Sequence, residues 1–340
     1  MPIVKDAKLG HLGERWGRRT CLATRFKGMT GMDVAIIGAG IAGLACADKL
    51  AEAGCTVRLF DKGRGPGGRM STRRIELDGA SVTFDHGAQY FTARDPRFAA
   101  VLKQWAQKDL AAPWPAAGPD AWVGTPGMNA PVHALANRHS VEWGRRVERV
   151  VRDGGRWTLP CAGVSTFDAL VIAIPAEQAA ALLQPIAPRL AAHAASVPTL
   201  PCWTMLAAFD ERLPLATDVI RGDDHAALGW AARDSAKPGR PGGERWVVQG
   251  GAHWSQRYLE EAAPTMAGRL LHALEHHAGT ALAPRYITAH RWRYARTTAA
   301  EPAVLWDAGA RVGLCGDWCR EARVEGAWVS GHTLARAMVR

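Results

Sequence analysis

Three glycines and a carboxylate near the start of the chain are spaced to bind a dinucleotide. Gly38, Gly40 and Gly43 form the pattern G-x-G-x-x-G directly after an apolar run at residues 34–37, and Asp61 ends a second apolar run. A glycine turn that leads into a helix lets backbone amides approach a pyrophosphate. An acid at the end of the second strand accepts hydrogen bonds from ribose hydroxyls. The order strand, turn, helix, strand and acid therefore predicts a dinucleotide site.

Two further groups select the dinucleotide. Gly68 and Arg69 belong to a second glycine-rich turn, and the planar guanidinium can pair with a pyrophosphate. Near the C-terminus a short apolar strand ends at Asp317, which is placed to bind ribityl hydroxyls. A helix is predicted to start at Gly326, where its N-terminus would stabilise the negative charge of a reduced flavin. An NAD enzyme has no need of this last element, so the pattern predicts FAD.

Several segments also resemble a known superfamily. The Gly-x-Gly-x-x-Gly, Gly-Gly-Arg-Met and Gly-Asp segments are similar to those of the flavin-containing amine oxidases. Finer matches, at residues 84–94, 122–128, 290–296 and 315–319, resemble the bacterial renalases. The matching segments are spread from Asp33 to the C-terminus. The resemblance implies a Rossmann-type α/β fold of the amine oxidase and p-hydroxybenzoate hydroxylase type.

The resemblance adds contacts to those predicted from the glycine motifs. It implies that Gly87, Ala88 and Gln89 run beneath the flavin ring and that the backbone of Val147 meets the adenine. No cysteine or histidine stands in a flavin-linking motif, so FAD is expected to bind noncovalently. The predicted cofactor residues are Gly38, Gly40, Ile41, Ala42, Gly43, Asp61, Lys62, Gly68, Arg69, Met70, Gly87, Ala88, Gln89, Val147, Gly316, Asp317, Arg323, Val324, Glu325, Gly326 and Ala327.

Aromatic side chains are the main candidates for a substrate wall. The chain has 14 tryptophans, whose default role is core packing. Trp292 and Tyr294 are the best candidates, because they alternate on one face of a predicted strand. His86 is a weak candidate for a catalytic residue, since glycine contacts already account for its motif. The predicted substrate residues are Tyr90, Trp230, Gln249, His253, Trp254, Trp292 and Tyr294, and no metal site is predicted.

The renalase resemblance implies a specific reaction. Isomeric 2- and 6-dihydro-NAD(P) would be oxidised to NAD(P)⁺ by hydride transfer to flavin N5, with O2 reduced to H2O2. Such strong hydride donors need no side-chain base. One alternative is an FAD-dependent amine oxidase, which should carry a lysine that holds water near N5. Lys237 is the only lysine after Lys108 and falls in a loop predicted to be flexible at its tip, which disfavours that alternative. A non-catalytic flavin-binding redox protein is the second alternative.

Composition sets broader limits. Seven cysteines at irregular spacing indicate reduced thiols and a cytoplasmic protein, and no apolar stretch is long enough to span a bilayer. Half of the net charge of +10 precedes Met32, which argues against a nucleic-acid surface on the body of the protein. We expect a small-molecule substrate and O2 as the partners. The predicted division is a basic extension at 1–31 that is disordered or follows a mis-assigned start, an FAD domain at 32–95, 140–178 and 308–340, and an α+β substrate domain at 96–139 and 179–307.

Overall fold

The structure is a computed structural model that describes residues 31–162, 165–297 and 303–340. The predicted basic extension lies outside these residues, apart from Gly31. The helices are α1 Ile41–Glu52, α2 Pro96–Gln107, α3 Ala130–Ala136, α4 Ala176–Leu183, α5 Pro188–Ala195, α6 Ala252–Arg257, α7 Ala263–Ala278 and α8 Val324–Met338. The strands are β1 Asp33–Ile37, β2 Thr56–Asp61, β3 Thr72–Leu77, β4 Ala80–Asp85, β5 Ala111–Pro113, β6 Trp122–Gly124, β7 Ser140–Trp143, β8 Val151–Asp153, β9 Arg156–Thr158, β10 Thr166–Phe167, β11 Ala169–Ile172, β12 Thr199–Phe209, β13 Val219–Arg221, β14 Trp230–Arg233, β15 Glu244–Gln249, β16 Tyr286–Thr297, β17 Leu305–Asp307 and β18 Val312–Leu314.

A six-stranded sheet forms the dinucleotide-binding half. Its order is β17-β18-β11-β1-β2-β7, and every neighbouring pair is parallel except β17 and β18. The central strands β1 and β11 are almost completely buried, which explains why they have no polar alternation. The carboxyl ends of the parallel strands meet at one edge, where this fold places its ligand. The predicted α/β fold is therefore confirmed.

A five-stranded antiparallel sheet forms the other half, in the order β13-β14-β15-β12-β16. Helix α7 packs on it through buried side chains such as Met266 and Leu270. The strand register brings distant predicted residues into line. Trp230 pairs with Gln249 across β14 and β15, and Cys202 pairs with Trp292 across β12 and β16.

One local prediction differs from the structure. The alternating pattern of residues 146–151 predicts a strand, but residues 146–150 are not a strand, because the amide of Arg145 donates to the Asp61 carbonyl at 2.8 Å and directs the chain along the edge of the sheet. Strand β8 begins only at Val151. The loop at residues 236–243, whose predicted flexibility concerns its tip, carries two buried cations, Lys237 and Arg240, with side chains that are at most 1% exposed.

The segment at residues 96–139 packs with the dinucleotide-binding half. Its helices α2 and α3 place Phe98 and Val132 in the same buried core as Leu44 and Trp328. The local sequence pattern of this segment does not indicate which of the two sheets it covers. Its predicted assignment to a substrate domain therefore stays a prediction. Within the residues that the structure describes, no helix is long and apolar enough to cross a membrane.

Candidate cofactor cleft

A large cleft runs between the two sheets at the carboxyl edge of the parallel strands. Its volume is about 1490 Å³, more than the roughly 300–1,000 Å³ of most small-molecule sites. The lining comes from the glycine turn after β1, the end of β2, the Gly67–Ser71 turn, the start of α8 and the strands of the antiparallel sheet. The cleft thus has room for a dinucleotide and a second ligand beside it.

The glycine turn has the geometry that a phosphate site requires. Gly40 is the N-cap of α1, and no side chain caps this helix. A Cβ built on Gly40 would meet no protein atom within 4 Å, because it would point into the cleft. Gly38 has a φ of +103°, which favours glycine at the turn. The first amides of α1 therefore face open space at a helix N-terminus, which attracts anions.

Asp61 is held rigidly at the end of β2. Its Oδ2 accepts a hydrogen bond from the Ala39 amide at 2.7 Å, and its Oδ1 accepts one from the Gly63 amide at 2.6 Å. A carboxylate has about four lone-pair sites, so acceptor capacity remains for ribose hydroxyls. Asp61 also lines the cleft, beside Lys62.

The second glycine turn and the C-terminal Gly-Asp segment meet across the cleft. Arg69 forms a two-point ion pair with Asp317, with Nη1 to Oδ2 at 2.7 Å and Nη2 to Oδ1 at 2.5 Å. The sequence predicts that Arg69 binds the pyrophosphate and that Asp317 binds the ribityl chain. Their pairing shows that the two side chains lie next to each other in the cleft. The backbone between Gly87 and Ala88 lies against Arg69, whose carbonyl accepts from the Ala88 amide at 2.8 Å.

Helix α8 points its N-terminus into the same cleft. It begins at Val324 after the N-cap Arg323, again without a capping side chain, two residues earlier than predicted. Val324 and Ala327 line the cleft. Two helix N-termini, those of α1 and α8, thus converge on one space, which suits a ligand with both a pyrophosphate and a ring that becomes anionic on reduction.

Aromatic side chains line the half of the cleft beneath the antiparallel sheet. Tyr90 and Trp230 lie with ring centroids 5.4 Å apart and planes inclined by 31°. Trp292 is fixed by its Nε1, which donates to the His86 carbonyl at 2.8 Å. Gln249 lies beside them, and its Nε2 donates to the Gly87 carbonyl at 2.7 Å. Tyr294 completes the group of predicted substrate residues on the cleft wall.

Six predicted residues lie off the cleft wall, for identifiable reasons. Gly43 and Gly326 serve close packing, because an added Cβ would lie 2.0 Å from the Gly38 carbonyl oxygen and 2.2 Å from that of Glu321, respectively. Glu325 is buried and accepts from the amides of residues 94 and 95. Gln89 is buried, and its Oε1 accepts a hydrogen bond from Lys237 at 3.0 Å.

His253 and Trp254, predicted as substrate residues, also lie outside the lining. Both belong to the short helix α6, whose first residue, Ala252, lines the cleft. His253 is exposed and stacks on His225 at 4.6 Å, whereas Trp254 packs into the core under the antiparallel sheet. Neither side chain lines the cleft, and their predicted contact with the substrate stays a prediction.

Several cleft residues were missed by sequence reasoning. The lining contains ten basic side chains but only four acidic ones, Asp61, Glu148, Asp224 and Asp317. Lys62, Arg69 and Arg323 were predicted, and the seven basic side chains that were missed are Arg64, Arg94, Arg145, Arg146, Arg291, Arg293 and Arg296. The run His290 to Arg296, in which basic and aromatic residues alternate, is the signal that could have found three of them. Cys202 also lines the cleft, and burial raises the pKa of its thiol to about 11, so it stays protonated at neutral pH.

His86 lies behind the wall. Its ring is 5.0 Å from that of Trp292, and His290 packs edge-on against it. Burial, aided by the nearby His290 and Arg73, lowers the pKa of His86 to about 4. A neutral imidazole that supports Trp292 from behind is a structural element of the wall. The described residues contain no group of three or more side chains that could hold a metal ion.

Comparisons with known proteins agree with this geometry. Residues 36–105 match a NAD(P)-binding Rossmann-like domain, and residues 116–339 match the family described as flavin containing amine oxidoreductase. Solved structures with the same fold include a candidate protoporphyrinogen oxidase from Exiguobacterium sp. 255-15, with a TM-score of 0.71, 13% identity and coverage of 92% of this chain and 99% of that one. Another is cyclohexylamine oxidase from Brevibacterium oxydans IH-35A, with a TM-score of 0.64, 16% identity and coverage of 91% and 99%.

Curated relatives match over short segments only. Hydroxyneurosporene desaturase from Rubrivivax gelatinosus is 49% identical over 71 residues, which is 20% of this chain and 13% of that protein. Carotenoid phi-ring synthase from Streptomyces griseus is 48% identical over 59 residues, 17% of this chain and 11% of that protein. The chain thus matches only about a tenth of the length of these relatives.

The chain belongs to the flavin containing amine oxidoreductase family, because the family match covers more than half of it. Members of this family are flavin-containing oxidoreductases, and FAD is the cofactor of this chain. The residues present fit the cofactor: uncapped N-termini of α1 and α8, open space at Gly40, a rigid Asp61 and the Arg69–Asp317 pair all line one cleft.

The purified protein is expected to carry about one FAD per chain, bound noncovalently. The reason is that the cleft offers helix N-termini and hydrogen-bonding groups to the cofactor, and the raised pKa of the Cys202 thiol makes it a poor nucleophile. Acid precipitation should release yellow flavin into the supernatant, where its absorbance can be compared with the protein concentration. Colour retained in the pellet would contradict noncovalent binding.

Proposed function

We propose that this protein oxidises isomeric 2- and 6-dihydro-NAD(P) to NAD(P)⁺, with O2 reduced to H2O2. The observation that carries the proposal is the composition of the cleft on the side of the antiparallel sheet, where Arg291, Arg293 and Arg296 lie on the same strand as Trp292 and Tyr294. A dihydronicotinamide dinucleotide combines an anionic pyrophosphate with a flat ring bearing a carboxamide. Each of these parts has a counterpart in the cleft.

The basic groups on the substrate side are held in place. Arg291 and Arg293 both pair with Glu260, at 3.0 Å and 2.6 Å, and Arg296 pairs with Asp224 at 2.6 Å. These pairs are exposed, so their value lies in orientation and in the field they create. Three arginines against two acids leave net positive charge at the rim, which favours phosphates.

The aromatic wall suits a flat ring. Tyr90, Trp230 and Trp292 line this part of the cleft, and Trp292 is held by its bond to the His86 carbonyl. Because the Gln249 Nε2 donates to Gly87, the amide oxygen faces away from Gly87 and can accept a hydrogen bond from a carboxamide. FAD, when bound, supplies the hydride acceptor and returns the electrons to O2. The wall therefore has to position the ring and exclude water, and no side-chain base is required.

The composition of the cleft disfavours an amine or a carotenoid, the substrates named for related proteins. A protonated amine would be repelled by the excess of basic side chains. Lys237 does not line the cleft, so it is not placed to hold water at the flavin. A carotenoid is a long hydrocarbon and would gain nothing from a rim of arginines. An amine oxidase and a non-catalytic flavoprotein remain the alternatives that the experiment separates.

We expect 2- and 6-dihydro-NAD(P) to reduce the bound FAD rapidly under anaerobic conditions. Ordinary 4-dihydro-NAD(P)H should react on the order of 100-fold more slowly, because about 1 Å of misplacement can cost that factor. Cyclohexylamine and putrescine should not react. The measurement is stopped-flow loss of oxidised flavin absorbance with each donor, followed by peroxide assay after oxygen is admitted.

A matched pair of variants tests the basic rim. The double variant Arg291→Gln with Arg293→Gln should weaken dinucleotide binding. Arg269→Gln is the control, because it removes an exposed arginine that pairs with Glu261 away from the cleft, and it should leave dinucleotide binding unchanged. Faster reduction by an amine than by any dihydronicotinamide would support the amine oxidase alternative. No reduction by any donor would support a non-catalytic role.

A further inference from the structure

A cluster of buried charges lies directly behind the cofactor cleft. Asp85, Asp234, Lys237 and Arg240 have side chains that are at most 1% exposed. Two acids and two bases balance, as buried charges must. Burial alone would raise the pKa of Asp85, but Lys237 and Arg240 outweigh it and lower the pKa to about 2. All these residues lie off the cleft wall, so the cluster does not touch the substrate.

The two cations of the cluster have different partners. Lys237 Nζ donates to Asp234 Oδ1 at 2.8 Å, to Asp85 Oδ2 at 3.4 Å and to Gln89 Oε1 at 3.0 Å. Arg240 bonds Asp85 and the carbonyls of Gly124 and Pro238, and makes no recorded contact with Gln89 within the described residues. Lys237 is thus the cation that connects the cluster to the segment beneath the flavin site.

Gln89 transmits this contact to the cleft. Its Oε1 faces Lys237, so its Nε2 must face the opposite way, where it donates to the Asp85 carbonyl at 2.5 Å and the Gly87 carbonyl at 3.1 Å. A lysine offers only donors, so it fixes which end of the amide points toward it. The Gln89 side chain therefore holds the turn between Asp85 and Gln89 in place from the side that faces away from the cleft.

The clamped turn forms part of the cofactor wall. Gly87 and Ala88 line the cleft, and the Ala88 amide donates to the Arg69 carbonyl at 2.8 Å. The fit is close, because a Cβ on Gly87 would lie 2.1 Å from the same oxygen. Arg69 in turn pairs with Asp317. A shift of the turn would therefore displace two predicted cofactor contacts, Arg69 and its partner Asp317.

We propose that Lys237 is a positioning residue for FAD binding, which acts through Gln89 to hold the Gly87–Ala88 turn against Arg69. The side chain does not touch the cofactor. The role of Lys237 is to orient the Gln89 amide, so that the backbone of the turn stays packed against Arg69 at the flavin site.

The test compares Lys237→Met with Arg240→Met, since each removes one buried cation from the same cluster. Both variants should melt at lower temperature. Only Lys237→Met should weaken FAD binding to the apoprotein, by about 10-fold, the scale of one lost hydrogen bond. It should also shift the visible spectrum of bound FAD and speed hydrogen exchange of a peptide covering residues 86–90. Arg240→Met should change the FAD dissociation constant less than about twofold on the same scale.

Gln89→Leu leaves the four charges balanced and should reproduce the loss of FAD affinity. The double variant Lys237→Met with Gln89→Leu should bind FAD no more weakly than either single variant, because both act through one contact. Equal losses for Lys237→Met and Arg240→Met, or additive losses in the double variant, would overturn the proposal. If Lys237→Met does not fold, unchanged FAD affinity and exchange in Gln89→Leu would overturn it. None of these measurements needs a substrate, so they are independent of the proposed reaction.

Discussion

Replacing Gly40 with glutamate is expected to abolish FAD binding while leaving the fold intact. Gly40 has a φ of −75° and a ψ of 178°, so any residue can adopt its backbone conformation. An added side chain would meet no protein atom, but it would enter the space in front of the α1 amides. Two unit charges 4 Å apart repel by about 4 kcal/mol at an effective dielectric constant of 20. Repulsion of this size between a carboxylate and the pyrophosphate corresponds to a loss of affinity of roughly 1,000-fold.

Gly268→Glu is the matched control. Gly268 lies on the exposed face of α7, far from the cleft, and also has open space around its Cβ position. Titration of each apoprotein with FAD, monitored by flavin fluorescence, measures the dissociation constants. Gly40→Ala should fall between wild type and Gly40→Glu because it adds bulk without charge. Normal flavin content in Gly40→Glu would show that the pyrophosphate lies elsewhere.

Replacing Asp85 with alanine is expected to cause the largest loss of stability of any single substitution in the buried cluster. Asp85 Oδ1 accepts from the Thr72 hydroxyl at 2.7 Å and the Met128 amide at 2.9 Å, while Oδ2 faces Lys237 and Arg240. Removal would leave two cations with only Asp234 as a counter-charge. Breaking a buried ion pair from one side costs about 3–5 kcal/mol. Urea unfolding of the apoprotein measures the change in the free energy of unfolding.

Asp210→Ala is the control for that substitution. Asp210 also pairs with an arginine, Arg285, at 3.1 Å, but its side chain is 70% exposed. An exposed pair of this kind contributes about 0–1 kcal/mol. Apoprotein is used because bound FAD would add its own stabilisation to both variants. Equal losses for Asp85→Ala and Asp210→Ala would mean that the cluster is not closed to water.

The cofactor half of this protein could be predicted from the sequence because its signals are local. The three glycines, the strand before them and Asp61 lie within 30 residues of one another, and each has its role through neighbouring backbone. The same holds for the helix at the C-terminus, which begins at Val324, close to the predicted Gly326. The alternation of Trp292 and Tyr294 likewise indicated which face of one strand would meet the cleft.

The substrate wall and the buried cluster were decided by the tertiary structure. Lys237 is 148 residues from Gln89 and 152 from Asp85, and a charged residue in a glycine- and proline-rich loop has no local signal that predicts its burial. His253 and Trp254 show the converse, since these two promising side chains lie outside the lining of the cleft. The sequence by itself determined the Rossmann turn and its cofactor, because backbone geometry depends on adjacent residues. Only the packing of the two sheets decided which arginines face the cleft and which lysine lies behind it, because those contacts join residues that are far apart in the chain.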